Sequence, residues 1–135
     1  QICVELSTSG AVIGVAGGGA TGTYDATNHT ISVGATSATL TFAVSDTNGQ
    51  ALASTTSVNL IQSGIAGVTV SLPTNLPYTY PDSGCGPNVQ TFTVSIVLSP
   101  PVTPPVNPQG TLQLQVITPS PGSAQTDSPV VTIIP

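Results

Sequence analysis

Apolar residues recur at every second position through most of this chain, and they are residues that favour extended backbone. Leu40, Phe42 and Val44 alternate with Thr41 and Ala43; Phe92, Val94, Ile96 and Leu98 alternate with Thr93, Ser95 and Val97; Leu112, Leu114 and Val116 alternate with Gln113 and Gln115. Successive side chains of a strand point to opposite sheet faces, so this period predicts strands that bury one face. Helix formers are scarce, while Val, Thr, Ile, Gly and Pro dominate; the β-branched residues among them suit a pleated, half-buried surface.

The same device returns at Ile31 and Val33, at Val58 and Leu60, at Val68, Val70 and Leu72, and in the last apolar segment, Val130 to Ile134. The chain is long enough for one ordinary domain with its own core. The expected fold is therefore all-β, a β-sandwich of about seven to eight strands, with Phe42, Val44, Val70, Phe92, Val94, Ile96 and Leu114 in one core. Asp46-Thr47-Asn48-Gly49 places Asx and Gly residues where a hairpin turn needs positive backbone angles. Pro73, Pro77 and Pro81 interrupt the middle of the chain, Pro100 to Pro108 form a proline-rich crossing, and Pro119 to Pro129 read as a second polar, proline-bounded loop.

Charge is almost absent. No residue of the 135 is lysine or arginine, and five carboxylates with one histidine give a formal charge of −5. Nucleic acids and anionic membranes are held mainly through basic side chains, so neither is an expected partner. A surface of Ser, Thr, Asn, Gln and Gly stays soluble through hydrogen bonding, and its low charge favours association between copies. Glu5, Asp25, Asp46, Asp82 and Asp127 would be largely neutral by about pH 2, so folding is expected to depend little on acidity. The missing basic residues also remove every trypsin-type cleavage site, which suits an acid, hot or protease-rich exterior. The chain opens at Gln1 and holds no methionine, the expectation for a mature product whose secretory signal has been removed. No apolar run approaches the roughly 20 residues that span a bilayer, so the expected location is extracellular or at the cell surface, without a membrane anchor in the mature form.

Few residues offer chemistry. Cys3 and Cys85 are the two thiols, and in an exported chain they are expected to form a disulfide, within the chain or between neighbouring subunits; the intrachain bond would contribute on the order of 4 kcal/mol. Asn28-His29-Thr30 is the only N-glycosylation sequon, making Asn28 the candidate site for a glycan. His29, Asp46 and Ser83 fall in the order of a chymotrypsin-like triad, and Asp82-Ser83-Gly84-Cys85-Gly86-Pro87 superficially resembles that nucleophile segment. The chain is too short for the usual two barrels, and a Gly/Pro turn around a cysteine explains the same letters. No enzyme activity is expected. Gly17, Gly19 and Gly22 spell a GxGxxG without the helix that would present its N-terminus to a phosphate, and the Asp46 turn lacks the later carboxylate of a calcium loop; neither a cofactor nor a metal is expected. Tyr78 and Tyr80 are the only platform for stacking a sugar in a chain without tryptophan.

The N-terminus is organised differently. Ile2, Val4 and Leu6 alternate with Cys3, Glu5 and Ser7, and Gly17-Gly18-Gly19 follow; a glycine triplet makes a poor strand interior and a good swivel. This divides the chain into a terminal strand with its hinge, residues 1–16, and a head domain, residues 17–135. A detachable strand, a hinge, a strand-rich head and missing basic residues together resemble the donor-strand-linked surface filaments of archaea, the thread pili, and more distantly the chaperone-usher pilins. The resemblance is architectural and covers the whole chain. It implies an Ig-like or pilin-like sandwich left incomplete until the neighbour's strand fills it, here Ile2, Val4 and Leu6, with the C-terminal segment Val130 to Ile134 as the alternative donor. Its partner would be the chain itself, in a head-to-tail homopolymer serving adhesion or cell–cell contact. The alternatives are a viral capsid or decoration protein sharing the sandwich, and an exported glycan-binding module.

Overall fold

The computed structural model of the chain describes residues 10–18, 23–33, 37–81, 87–98, 109–119 and 123–134. Among them stand eleven strands and no helix: β1 (Ala11–Gly18), β2 (Thr23–Asp25), β3 (Thr30–Ser32), β4 (Ser37–Asp46), β5 (Ser57–Ala66), β6 (Val68–Ser71), β7 (Tyr78–Thr79), β8 (Gln90–Leu98), β9 (Gln109–Thr118), β10 (Ala124–Asp127) and β11 (Val131–Ile134). One sheet runs β1-β4-β8-β6, antiparallel throughout. The other runs β2-β3-β11-β9-β5-β7, with β10 also beside β9; its β3–β11 pair is parallel.

Alternation decides which face is inside. Along β4 every second residue is buried, from Ala38 through Leu40, Phe42 and Val44 to Asp46. The register sets Leu40 opposite Val94 and Phe42 opposite Phe92 on β8. In the second sheet Val58 stands opposite Val116 and Leu60 opposite Leu114. These inner faces share one core, a sandwich-like arrangement. Every core residue expected from the period is buried except Val70, which is half-buried and packed against the rest.

Two elements depart from the expected pattern. The segment between Pro119 and Pro129, expected as loop, contains β10, whose Gln125 pairs with Ile117 and Thr126 with Val116. Its side chains are mostly exposed, so this strand is made by backbone pairing with β9 and leaves no apolar alternation to read. Gly17 and Gly18, expected as part of a swivel, lie inside β1 opposite Leu40 and Thr39. The boundary drawn after Ala16 thus falls within a strand of the first sheet. Glycine is required there because a Cβ on Gly17 would run into Cβ of Tyr24 and stand 2.9 Å from Cδ1 of Ile31. β1 crosses so close to the second sheet that no side chain fits between them.

The corner between β5 and β6 also rests on glycine. Gly67, with φ of 74°, carries the chain from one sheet to the other. Just before it the β5–β9 register shifts between Ser63 and Ala66, with Gly64 at φ of 64°. This bulge packs Ile65 onto Gly110, where a Cβ would lie 2.8 Å from Ile65 Cα.

Candidate functional site

Strand edges are the places where an all-β subunit can join another, because each edge presents backbone N–H and C=O groups to any chain that approaches. Five strands are outermost among the described residues: β1 and β6 in the first sheet, β2, β7 and β10 in the second. Four of them carry the features that discourage pairing; β10 has four residues and ends on the carboxylate of Asp127. β2 has three residues and ends on the carboxylate of Asp25. β6 has four and runs into Leu72-Pro73. β7 has two, between Pro77 and Pro81.

β1 has none of them. Its eight residues, AVIGVAGG, contain no proline and no charge, and they pair with β4 in unbroken register from Ala11 opposite Asp46 to Gly18 opposite Thr39. One face, Ala11, Ile13 and Val15, is half-buried against the core. The other exposes Gly14, Ala16 and Val12, the last 46% accessible. An uncharged, proline-free edge of this length is one that natural sheets rarely leave bare.

The second sheet has a further gap. β7 covers β5 only at Ser57 and Val58, so Asn59–Ala66 have no strand partner on that side among the described residues. Likewise β6 reaches β8 only from Ser95 to Leu98, and beyond it Asn75 reaches Thr91 with a single 3.2 Å bond from Nδ2 to the carbonyl. The bulge at Gly64 twists the β5 edge, which makes it a poorer template than β1.

The face that β1 extends is as unusual as its edge. Outward side chains of the first sheet include Thr39, Thr41, Thr91, Thr93 and Ser95, with Val12 and Val97 exposed at its margins. Thr41 and Thr93 are hydrogen-bonded across the strands, Oγ1 to Oγ1 at 3.1 Å. No charged side chain lies on this face among the described residues, so nothing there opposes the close approach of an identical surface.

Two of the three described carboxylates, Asp25 and Asp46, serve turns, while Asp127 accepts Nε2 of Gln125 within β10. Asp25 Oδ1 accepts the N–H groups of Thr27 at 2.8 Å and Asn28 at 3.1 Å, and Oδ2 accepts Nδ2 of Asn28 at 2.8 Å. The backbone and side-chain bonds from Asn28, then that from Thr27, hold the Asp25 carboxyl below its ordinary value of 3.8. Asn28 is exposed at this β2–β3 turn, as a glycan acceptor must be, and its amide nitrogen is engaged by Asp25. His29 follows with φ of 56°; its Nδ1 lies 3.3 Å from the Tyr24 hydroxyl and its carbonyl accepts Thr132 N–H at 2.9 Å, tying the turn to β11. Burial, with the neighbouring Asp25 charge adding to it, pushes the Tyr24 hydroxyl above its usual range.

Asp46 is 2% exposed, and its Oδ1 accepts the N–H groups of Asn48 and Gln50, each at 2.8 Å. The carboxylate that chain order would assign to a triad with His29 and Ser83 is thus committed to the turn that follows β4, which leads into the other sheet and is not the hairpin expected from Asp46-Thr47-Asn48-Gly49. Among the described residues no three His, Cys, Asp or Glu side chains gather as metal ligands, and no helix is long and apolar enough to cross a membrane.

Tyr80, expected as half of a sugar-stacking platform, is 2% exposed. Its N–H donates to the Thr56 carbonyl at 2.9 Å, and this pairing beside β5 turns its ring into the core. Tyr78 is half-buried, 5.8 Å from Phe92 between ring centroids. Both rings pack against the sandwich, so they do not stand together as a stacking platform. The residues expected as donor strand, Ile2, Val4 and Leu6, lie outside the described residues, as do Cys3, Cys85, Asp82 and Ser83. The unguarded β1 edge had no apolar signature of its own beyond Ile13 and Val15; its one legible signal was the absence of proline and charge.

Comparison with protein-family models, with curated proteins and with solved structures finds no match to this chain.

Proposed function

We propose that this chain is the structural subunit of an extracellular filament, growing head to tail by strand addition and serving adhesion or cell–cell contact. The observation that carries the reading is β1, a long edge strand without proline, charge or bulge in a molecule whose other outermost strands are short and guarded. In this reading the alternating segment 2–7 of one subunit pairs with an open edge of the next, and Ile2, Val4 and Leu6 enter its core as in the thread-like pili that the chain resembles. Burial of three such side chains contributes about 1.5–3 kcal/mol each, and the new backbone ladder adds to it; together they offset the cost of association, about 4–15 kcal/mol. The sandwich would then be pilin-like, completed only in the polymer. Cys3 would travel with the donor strand, so a bond to Cys85 would be either a clasp within the subunit or a weld between neighbours. A glycan on Asn28 would hydrate a surface that charge does not.

Two variants test this. Deletion of residues 1–10 removes the donor and should leave folded or loosely folded monomers that a synthetic peptide of the same residues stabilises. Val12→Lys places a charge on the exposed side of β1 without entering the core, and should abolish filaments seen by negative-stain microscopy while the monomer keeps its melting temperature. Filaments formed by the deletion variant would reject residues 2–7 as donor; filaments formed by Val12→Lys would move the acceptor from β1 to the open side of β5 and β8. Closed shells in place of fibres would favour a capsid protein.

A further inference from the structure

Asn48-Gly49 is the only Asn-Gly pair in the chain, and it sits exposed at the tip of the turn that follows β4. Asparagine before glycine is the pair most prone to lose its side-chain amide, because glycine has no side chain to hinder ring closure. The Gly49 backbone nitrogen attacks Cγ of Asn48; the new N–Cγ bond forms as the Cγ–Nδ2 bond breaks, and the Gly49 proton leaves with the departing nitrogen as ammonia. Water then opens the five-membered imide at either carbonyl, leaving aspartate or isoaspartate and one more negative charge.

Every backbone group that this reaction must move is held by one residue. Asn48 N–H donates to Asp46 Oδ1 at 2.8 Å, Gly49 N–H to the Asp46 carbonyl at 3.1 Å, and Gln50 N–H to Asp46 Oδ1 at 2.8 Å. Asp46 is itself anchored, since its N–H donates to the Gln50 carbonyl at 2.8 Å and its side chain is buried at the end of β4. Gly49 stands at φ of 75°, a conformation that closes the turn. The attacking nitrogen is therefore engaged as a donor to a carbonyl, and Oδ1 of the adjoining carboxylate is taken by the N–H groups on either side.

We propose that Asp46 locks the Asn48–Gly49 bond against deamidation, making Asn48 a modification site that opens only when this turn opens. The lock does not depend on how subunits assemble. It makes the lifetime of Asn48 a measure of local opening, and for a chain exposed outside the cell it protects the one peptide bond most liable to chemical ageing.

The test is to age the full chain at mildly alkaline pH, folded and in denaturant, and to follow the charge change by isoelectric focusing with intact-chain fragmentation to locate it. Each event adds one charge to a formal −5 with no cation to obscure it. Asn48 should be the first asparagine lost in the unfolded chain and at least about tenfold slower in the folded one, the ratio expected when opening limits the reaction. Asp46→Ala should recover several-fold of that loss, and Asp46→Asn, which keeps an acceptor oxygen, should stay near the parent. Equal rates for folded and unfolded chain, or an Asp46→Ala variant that folds yet ages like the parent, would overturn the proposal. Should Asp46→Ala fail to fold, amide exchange in the parent decides: protection at Asn48, Gly49 and Gln50 supports the lock, and free exchange at Gly49 refutes it.

Discussion

The ring of Tyr80 stands edge-on to that of Tyr78, centroids 5.1 Å apart and planes 80° apart. Tyr78 in turn meets Phe92 at 5.8 Å, so β7 closes its end of the sandwich with an aromatic chain that continues into β8. Such pairs add about 0.5–1.5 kcal/mol beyond the area they bury. The Tyr80 hydroxyl nevertheless has no hydrogen-bond partner, and burial, with the nearby Tyr78 adding to it, drives its ionisation far above the usual tyrosine range.

Tyr80→Phe keeps the ring and removes a buried group that is not hydrogen-bonded. It should leave stability unchanged or raise it by up to about 1 kcal/mol, whereas Tyr80→Ala should cost about 3–5 kcal/mol. Denaturant midpoints measure both. A loss above about 1 kcal/mol for Tyr80→Phe would show that the hydroxyl is satisfied in solution.

Two glycines of β1 make a matched pair. A Cβ at Gly14 meets only Ala43, at 3.9 Å, while one at Gly17 collides with Tyr24. Gly14→Ala should therefore be neutral or stabilising by about 0.5–1 kcal/mol. Gly17→Ala should cost about 1–3 kcal/mol as the two sheets are forced apart. Equal effects would mean that β1 does not approach β2 as described.

Ser128 joins β10 to β11 and mends the ladder between them. Its Oγ accepts Leu114 N–H at 2.9 Å and donates to the Pro129 carbonyl at 2.9 Å, while its own N–H donates to the Leu114 carbonyl. Ser128→Ala strands a buried N–H and should lower stability by about 1–3 kcal/mol. Faster amide exchange at Leu114 would accompany the loss, and an unchanged rate would contradict it.

Acid should act on the Asp25 turn, whose hydrogen bonds are to an ionised carboxylate. Its folded pKa lies below the ordinary 3.8 because Asn28 and Thr27 donate to the carboxylate, so its stabilisation is complete above that value and is lost as pH falls through the lower folded one. Melting temperatures should be level from neutral pH down to about 4 and decline modestly below. Carboxyl NMR titration gives the check: a folded Asp25 midpoint at or above 3.8 would show that the turn does not hold it.

The interior was readable because alternation and burial are the same fact for a strand packed on one side. Leu40, Phe42 and Val44, Phe92, Val94 and Ile96, and Leu112, Leu114 and Val116 all lie where their period puts them. The margins were not. β10 and the glycine end of β1 exist because a neighbouring strand offers hydrogen bonds, a property of the partner that leaves no trace in Ala-Gln-Thr-Asp or Gly-Gly. Tyr80 was misread for the same reason: aromatic rings flanked by prolines suit an exposed loop until the pairing opposite Thr56 turns one inward. The candidate site lies among these margins. Its guards were visible as Pro73, Pro77 and Pro81, but that β1 is an edge follows only from its place beside β4.

The uneven guarding of the edges bears on valence. In the proposed filament, a subunit whose outermost short strands are stopped by proline or aspartate takes one donor strand at the long bare edge of β1 and offers one in return. Two connections per molecule permit a line and forbid a branch. Under the proposed function, the same prolines that end β6 and bracket β7 would keep a filament from thickening into a sheet, and replacing them would turn a thread-former into a network-former.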